Sequence, residues 1–198
     1  MVSDRKAEIL ENALEIVGRE GYGNLSMRAL ARASGLKLGA LQHHFPTWDV
    51  LLQALAQHVS AEYSRSLEAL ERKNAYQTSI LDIARWYLLD QGGEGLQSPS
   101  RLWPQLWAMA RVEPVLGEAL DDIFCKTVAL FESRLIQAGS DTPRQEALAL
   151  LAVGEGSLLI AGTGAQFEDE ARSLNELLLQ QLEARYGATR SKRRAARA

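Results

Sequence analysis

The chain has 198 residues, 46% hydrophobic and 24% charged, which is ordinary for a folded globular protein and excludes wholesale disorder. Its only cysteine is Cys125, so an internal disulfide and a four-cysteine zinc site are excluded, and a reducing cytoplasm is the expected location. The neighbouring Phe124 and Val128 predict a core position for this thiol. We expect no membrane span, because the most apolar stretch, residues 148–165, contains Glu155 and four glycines.

The net charge of −3 is distributed unevenly along the chain. Residues 21–48 contain three basic side chains and no acidic one, whereas residues 49–189 carry 20 acidic against 11 basic side chains. Residues 190–198 carry five basic side chains and no acidic one. An acidic body with two basic segments predicts that a polyanion binds only particular faces. The basic end is either a solvated, disordered tail or a source of non-specific DNA affinity.

Helical periodicity runs through the whole chain, without convincing strand alternation, which predicts an all-α fold of about nine helices. The first helix ends within Gly18–Gly23, Ser26 opens the second, and Gly35 ends it. Thr47 is expected to cap a long helix over 50–70. Apolar spacing predicts further helices around residues 80–88, 99–111, 116–135 and 169–186, and Thr142-Pro143 opens another between the last two.

Residues 26–45 carry the pattern of a helix-turn-helix. Ala31 is small where the two helices must touch, and Gly35 tolerates a positive φ in the turn. Apolar residues, among them Leu41, hold the second helix to the core, so that its outer positions project into a DNA major groove. Those outer positions, which could contact base edges or phosphates, are Lys37, Gly39, Ala40, Gln42 and His43.

Further features accompany this motif: Gly21-Tyr22 after the first helix, Ser26 at the start of the second, the turn 30–35 and the run 39–46. With them, residues 9–52 resemble the N-terminal domain of the TetR family of transcriptional regulators. The stretch 102–108, Leu-Trp-Pro-Gln-Leu-Trp-Ala, is similar to the BetI-like branch of that family.

The resemblance implies a homodimeric regulator, a repressor that a small hydrophobic or cationic ligand releases from a near-palindromic operator. It implies a three-helix DNA-binding domain over 1–48, a larger helical ligand-binding and dimerisation domain over 49–187, and a basic tail over 188–198. No cofactor and no metal is expected. The implied DNA-contacting residues are Ser26, Arg28, Lys37, Gly39, Ala40, Gln42, His43, His44, Thr47 and Trp48.

Two positions depart from the family pattern, which usually has Tyr at the position of Gln42 and Lys at that of Trp48. Both are normally phosphate contacts. Loss of the Lys should weaken DNA binding and remove about one phosphate contact from its salt dependence. Gln42 could instead read adenine.

Aromatic residues gather on three consecutive predicted helices and form either a packed core or the lining of a ligand cavity. Because rings attract cations and this part of the chain is acidic, such a cavity would suit a hydrophobic or cationic ligand. Glu155, a charge in an apolar helix, must be paired, hydrogen-bonded or directed at a cavity, and structural, ligand-binding and dimer roles all remain open. The candidate ligand-binding residues are Trp86, Tyr87, Trp103, Trp107, Phe124, Phe131 and Glu155.

The last two predicted helices carry more apolar surface than one bundle needs. The resemblance implies that they pair with a second copy in a four-helix interface, and a two-fold dimer would set two recognition helices about 34 Å apart. The candidate interface residues are Leu151, Leu158, Leu159, Leu174, Leu178 and Leu182.

Other functions are disfavoured by the residue pattern. His43 and His44 point about 100° apart on a helix, which favours DNA contact over a shared metal ion. No nucleophile–base pair, metal-ligand spacing or phosphate loop indicates an enzyme. The alternative function is a helical ligand-binding or adaptor protein with a degenerate DNA-binding head, which the departures at Gln42 and Trp48 favour.

Overall fold

A computed structural model describes residues 2–73, 78–90, 99–161 and 167–195, and these residues form helices without a strand. The predicted all-α class and helix number are confirmed. A 3₁₀ turn, Tyr22–Asn24, joins the first two helices, and a π-helical turn, Trp86–Asp90, continues the fifth. The helices are α1 Val2–Glu20, α2 Met27–Ala33, α3 Leu38–His44, α4 Trp48–Lys73, α5 Ile80–Arg85, α6 Pro99–Ala110, α7 Pro114–Ala138, α8 Pro143–Ala161 and α9 Glu168–Ala195.

Packing divides the chain into two compact units, each built from two segments. The N-terminal unit comprises Met1–Ser64 and Leu96–Ile123, and the C-terminal unit comprises Arg65–Gly95 and Phe124–Ala198. The long helices α4 and α7 each contribute to both units. The predicted division into 1–48, 49–187 and 188–198 concerns function rather than packing, and it stays a prediction.

The corner between α7 and α8 shows how glycine and proline set the helix boundaries. Gly139 follows α7 with φ +89°, a conformation that glycine adopts without steric cost. The N–H of Ser140 then donates to the carbonyl of Leu135 at 3.0 Å, which closes the end of the helix. Pro143 occupies the first position of α8, where a missing N–H costs nothing.

The N-terminal unit closes around the apolar faces of α1 to α4, and α6 lies against α1. A Cβ added at Gly18 would lie 3.8 Å from Leu102, an ordinary van der Waals contact between these two helices. Among the most deeply buried large side chains of the unit are Ile9, Val17, Leu30, Leu41, Phe45, Leu51, Leu55, Val59, Leu106, Met109 and Leu116.

The C-terminal unit packs α5, the π-turn, the second half of α7, α8 and α9 around one core. The buried stripe of α9 has helical spacing and includes Ala171, Asn175, Leu179, Leu182 and Tyr186. The core cluster is completed chiefly by Ile83, Leu88, Phe131, Leu135, Ala147 and Leu150.

The prediction that Cys125 lies in the core is wrong, because its thiol is exposed. The buried stripe of α7 passes through Ile123, Thr127 and Phe131, and Cys125 lies beside this stripe. Successive residues on a helix point about 100° apart, so apolar neighbours in sequence do not bury a residue.

Helix α9 continues to Ala195, where the sequence predicts a disordered tail from residue 188. The backbone of 188–195 follows Gly187 without a proline, and arginine, lysine and alanine are good helix formers. The basic side chains of 190–198 lie outside the described part of the structure, and the roles predicted for them stay predictions.

Among the described helices, none combines the length and the apolar character that crossing a membrane requires.

Candidate DNA-binding and ligand-binding sites

The connection between α2 and α3 has the geometry of a helix-turn-helix. Gly35 adopts φ +65° immediately after α2, and the N–H of Leu36 donates to the carbonyl of Ala31 at 2.8 Å. This pattern satisfies the last carbonyls of α2 and turns the chain sharply. Ala31 is 3% exposed and Leu41 is fully buried, so the helix contact and the anchor of α3 lie where the sequence predicts them.

Two polar side chains of α1 donate hydrogen bonds to Ser34 in this turn. Arg5 Nη2 donates to the Ser34 carbonyl at 2.8 Å, and Asn12 Nδ2 donates to the Ser34 hydroxyl at 3.3 Å. The Lys6 ammonium lies 5.7 Å from the centroid of the Phe45 ring, a favourable cation–π distance at the end of α3. These contacts were not predicted from the sequence, since polar residues on an amphipathic helix are ordinarily exposed.

Helix α3 buries Leu41 and presents its other middle positions to solvent. Gly39 and Ala40 carry little or no side chain, which leaves the α3 backbone accessible to a groove. The predicted DNA-contacting residues that are exposed are Ser26, Arg28, Lys37, Gly39, Ala40, Gln42, His43 and Thr47, whereas His44 and Trp48 are half-buried.

Both predicted caps are present at helix N-termini beside α3. The Ser26 hydroxyl accepts a hydrogen bond from the N–H of Ala29, and the Thr47 hydroxyl accepts one from the N–H of Val50, each at 3.2 Å. Such caps fix where α2 and α4 begin. Exposed helix N-termini carry partial positive charge, which suits them to a phosphate group.

The rings of His43 and His44 meet edge to face with centroids 6.0 Å apart. Within the ranges that the structure describes, no group of three or more His, Cys, Asp or Glu side chains could hold a metal ion.

Tyr22 joins the 3₁₀ turn before α2 to the corner between α6 and α7. Its hydroxyl donates to the Glu113 carboxylate, and its backbone N–H donates to Gln105 Oε1 at 3.4 Å. Burial, then the hydrogen bond to Glu113 and the charge of that carboxylate, raise the pKa of Tyr22 to about 12, against an opposing hydrogen bond from Trp48. Trp48 therefore contacts Tyr22 at the start of α4.

The candidate ligand site brings together three of its predicted residues, all in the C-terminal unit. Tyr87 Oη donates to a Glu155 carboxylate oxygen at 2.6 Å, and the Tyr87 ring meets Phe131 edge to face with centroids 5.1 Å apart. A carboxylate held by an aromatic residue, which itself packs on a second ring, is a chemically suitable environment for an organic cation. Glu155 is hydrogen-bonded, one of the alternatives that the sequence left open.

Gly154 allows the Tyr87 ring to lie directly on α8. A Cβ at this position would be 2.3 Å from Tyr87 Cε1, much closer than two non-bonded carbon atoms can approach. The ring and its hydrogen bond to Glu155 therefore occupy this position only because residue 154 has no side chain.

The other predicted ligand-binding aromatics divide between the two units. Trp103 and Trp107 lie in the N-terminal unit, where Trp103 packs edge to face on Tyr63 with centroids 6.2 Å apart and Trp107 is 43% exposed. Trp86 and Phe124 lie in the C-terminal unit, with Trp86 buried in the core and Phe124 half-buried.

The predicted interface leucines also differ in exposure. Leu158 and Leu182 are already buried within one chain, and Leu151 and Leu178 are partly packed against the core. Leu159 and Leu174 are 57% and 43% exposed. Further exposed apolar side chains on α8 and α9 are Leu148, Ile160 and Leu177. We call Leu148, Leu159, Ile160, Leu174 and Leu177 the outer apolar face.

Comparison with known proteins identifies similar sequences and folds. Residues 9–55 match the family model of bacterial regulatory proteins of the tetR family. BetI, an HTH-type transcriptional regulator of Pseudomonas aeruginosa, is 27% identical over 177 residues, which cover 86% of this chain and 88% of that protein.

Solved structures share the fold over most of their length. A transcriptional regulator from Rhodococcus sp. Rha1 aligns with a TM-score of 0.71 at 19% identity, covering 90% of this chain and 96% of that one. A regulator from Saccharomonospora viridis in complex with choline gives 0.72 at 18% identity, covering 89% and 96%. The multidrug binding protein EbrR, complexed with ethidium, gives 0.59 at 25% identity, covering 88% and 98%.

Proposed function

We propose that this chain, a DNA-binding transcriptional regulator of the TetR family, acts as a homodimeric repressor that an organic cation releases from its operator. The observation that carries the DNA-binding part is the exposed surface of α3. It presents Lys37, Gln42 and His43 to solvent in a segment, residues 21–48, that contains no acidic side chain.

Each protomer would place α3 in a major groove. Gln42 has the donor and acceptor pair that reads adenine, and His43 can hydrogen-bond a base edge or a phosphate. The capped N-termini of α2 and α4 would contact phosphates on either side, which fixes the orientation of α3 without reading sequence.

The dimer would form through the outer apolar face of α8 and α9. Five large apolar side chains exposed on two helices are costly in water unless a second surface covers them. A two-fold axis pairs each face with its own copy, and the same axis makes the preferred operator near-palindromic.

The ligand would be an organic cation held at the Tyr87–Glu155 pair. The carboxylate supplies the opposite charge, and Tyr87 and Phe131 supply ring edges and faces. The similar structures from Saccharomonospora viridis and of EbrR contain choline and ethidium, two cations of different size, which makes both of them suitable probes.

Release from the operator would follow from linkage. If the cation favours a dimer shape in which the two α3 helices are wrongly spaced, DNA must weaken cation binding by the same factor by which the cation weakens DNA binding. Equal affinity of choline for the free and the DNA-bound protein would contradict this mechanism.

Selection from a pool of random-sequence duplexes tests the DNA-binding part. The full-length chain should enrich a near-palindromic sequence with two half-sites about one helical turn apart. A Gln42→Ala variant should select a sequence relaxed at the positions that this residue reads, whereas Arg172→Ala, an exposed position on α9, should select the same sequence as the unchanged chain. Failure to enrich any sequence would favour the adaptor alternative.

Titration with choline and with ethidium tests the ligand part. Ethidium fluorescence without DNA, and choline competition against it, should give affinities that fall at least about tenfold in a Glu155→Gln variant, which keeps the shape of the side chain but removes the charge. Unchanged affinity in that variant, or no binding of either cation, would contradict a cation site at Glu155.

A further inference from the structure

The segment that carries Tyr87 is a π-turn. Trp86–Asp90 continues α5 with wider helical turns than those of an α-helix, and both neighbours of Tyr87 are buried, Trp86 at 5% and Leu88 at 1% exposure. π-turns are uncommon and often lie at functional sites. A shift of this turn by one residue would rotate its side chains by about 100° and carry the Tyr87 ring away from α8.

A buried amide on α9 holds this turn. Asn175 is 3% exposed, and its Nδ2 donates to the Leu88 carbonyl at 2.8 Å. Its Oδ1 accepts a hydrogen bond from the Ser157 hydroxyl at 2.7 Å, with Ser157 2% exposed on α8. The Ser157 hydroxyl also lies 2.7 Å from the Val153 carbonyl. One carboxamide therefore connects α9, α8 and the backbone of the π-turn.

The same part of α8 receives the Tyr87 ring. Gly154 and Ser157 are three residues apart and so lie on one face of α8. Gly154 contacts the Tyr87 ring. Ser157 contacts the side-chain amide of Asn175, which in turn donates to the carbonyl of Leu88, the residue after Tyr87. The contact at Leu88 thus sets the register of the backbone from which Tyr87 extends to Glu155.

We propose that Asn175 is a positioning residue for the cation site. Its hydrogen bond to Leu88 fixes the register of the π-turn and directs Tyr87 at Glu155, so that the affinity for a cation depends on a side chain that does not contact the ligand. This inference rests on the proposed cation-binding function, and it names the residue that gives the site its shape.

An Asn175→Asp variant of the full-length chain tests the proposal. The introduced side chain has nearly the same shape and still accepts from Ser157, but in its ionised form, which a titration at about pH 8 or above favours, it has no proton to donate to Leu88. Affinity for ethidium and choline should fall by about tenfold or more, because the Leu88 carbonyl loses its donor and faces a negative charge. The matched control is Gln180→Glu, the same change of amide to acid at an exposed position of α9.

A ligand-independent readout follows the position of Tyr87 itself. The chain contains five tyrosines, and ¹⁹F NMR of 3-fluorotyrosine-labelled protein, with Tyr87 assigned by a Tyr87→Phe variant, reports each environment separately. The Tyr87 resonance should move in Asn175→Asp while that of Tyr63, in the N-terminal unit, stays. Tyr186→Phe removes a different hydrogen bond between α9 and α8 and should leave the Tyr87 resonance in place.

Ser157→Ala is a second, milder variant, since it removes only the hydroxyl that orients the amide, and it should move the Tyr87 resonance by less in the same direction. An unmoved Tyr87 resonance in both variants would overturn the proposal, as would unchanged cation affinity in Asn175→Asp. If Asn175→Asp moves the Tyr87 resonance but the unchanged chain binds neither cation, the result would support the positioning role of Asn175. It would then contradict the proposed cation-binding function instead.

Discussion

The Arg5 guanidinium donates to the carbonyl of Ser34 across 29 residues of sequence, at 2.8 Å, and so ties the first helix to the turn of the helix-turn-helix. An Arg5→Ala variant should lower the free energy of unfolding by about 1 kcal/mol, because a partly buried carbonyl loses its donor. Operator affinity should fall as well, since the turn sets the angle of α3.

Thermal unfolding and fluorescence anisotropy measure these two effects. The matched control is Arg19→Ala on the same helix, where the side chain is 70% exposed and pairs with Glu15 on the surface. Surface pairs of this kind contribute little, so both quantities should stay nearly unchanged in the control. Equal effects in the two variants would contradict a specific role of Arg5.

A methyl group at residue 154 should displace Tyr87. In Gly154→Ala the new Cβ would overlap the Tyr87 ring, so the ring must move and its hydrogen bond to Glu155 should be lost. Ethidium titration should show an affinity at least about tenfold weaker.

Gly156→Ala is the control for this substitution, because a Cβ at that position would have no described atom within 4 Å apart from the adjoining helix backbone. Alanine in place of an interior helical glycine should raise stability by up to about 1 kcal/mol and leave cation binding unchanged. Equal ethidium affinity in Gly154→Ala and Gly156→Ala would contradict the requirement for glycine at residue 154 beside the Tyr87 ring.

Glu146 should make folding stability depend on acid pH. Burial raises the pKa of this carboxyl, but hydrogen bonds from Tyr186, Ser140 and Thr142 and the charge of Arg185 outweigh burial and lower the pKa below its ordinary value of 4.5. A carboxyl with a lowered folded-state pKa contributes stability that is present above the ordinary value and is lost as pH falls through the folded-state value.

Urea unfolding at pH values from 7 down to about 3 checks this sign. Glu146→Gln should be less stable than the unchanged chain at neutral pH, and the difference should shrink toward acid. Glu176→Gln, at an exposed carboxylate on α9, should leave the acid dependence as it is. A stability difference between Glu146→Gln and the unchanged chain that stays constant from neutral to acid pH would show that this carboxyl is not the source.

A charge on the outer apolar face should prevent dimerisation. Leu159→Arg and Leu177→Glu each put a charge at a side chain that is more than half exposed in one chain and covered in the proposed dimer. Sedimentation velocity should show monomers for both variants. Ile136→Glu, at a 60% exposed position on α7 outside this face, should remain dimeric. If the unchanged chain were monomeric at micromolar concentration, the proposed interface on the outer apolar face would be contradicted.

Helix positions could be predicted from the sequence because their signals are local. Gly35 and Gly139 mark helix ends through a positive φ that few other residues adopt. Pro143 marks the start of α8 by its place in the first turn, and Ser26 and Thr47 mark helix starts through their caps. The π-turn left no such signal, since the apolar spacing of residues 80–88 fits an α-helix and a π-turn almost equally well.

Contacts between distant helices could not be predicted from the sequence. Asn175 and Ser157 are of polar residue types that are mostly exposed in proteins, yet both are buried here. Their burial is possible because the Ser157 hydroxyl donates to Asn175 and Asn175 donates to the Leu88 carbonyl, which satisfies these polar groups. The apolar face predicted for α9 also divides, with Leu182 in the core and Leu174 43% exposed, because only one side of α9 packs against α8, α5 and the π-turn within the described residues.

The most direct test of operator recognition by α3 is fluorescence anisotropy with the DNA upstream of the chain's own gene, at two salt concentrations, comparing the unchanged chain with an Arg28→Ala, His43→Ala double variant. We predict tight binding that weakens steeply with salt and is abolished in the double variant. Weak, sequence-independent binding to this DNA and to the selected operator, equal in both proteins, would contradict recognition of DNA by α3.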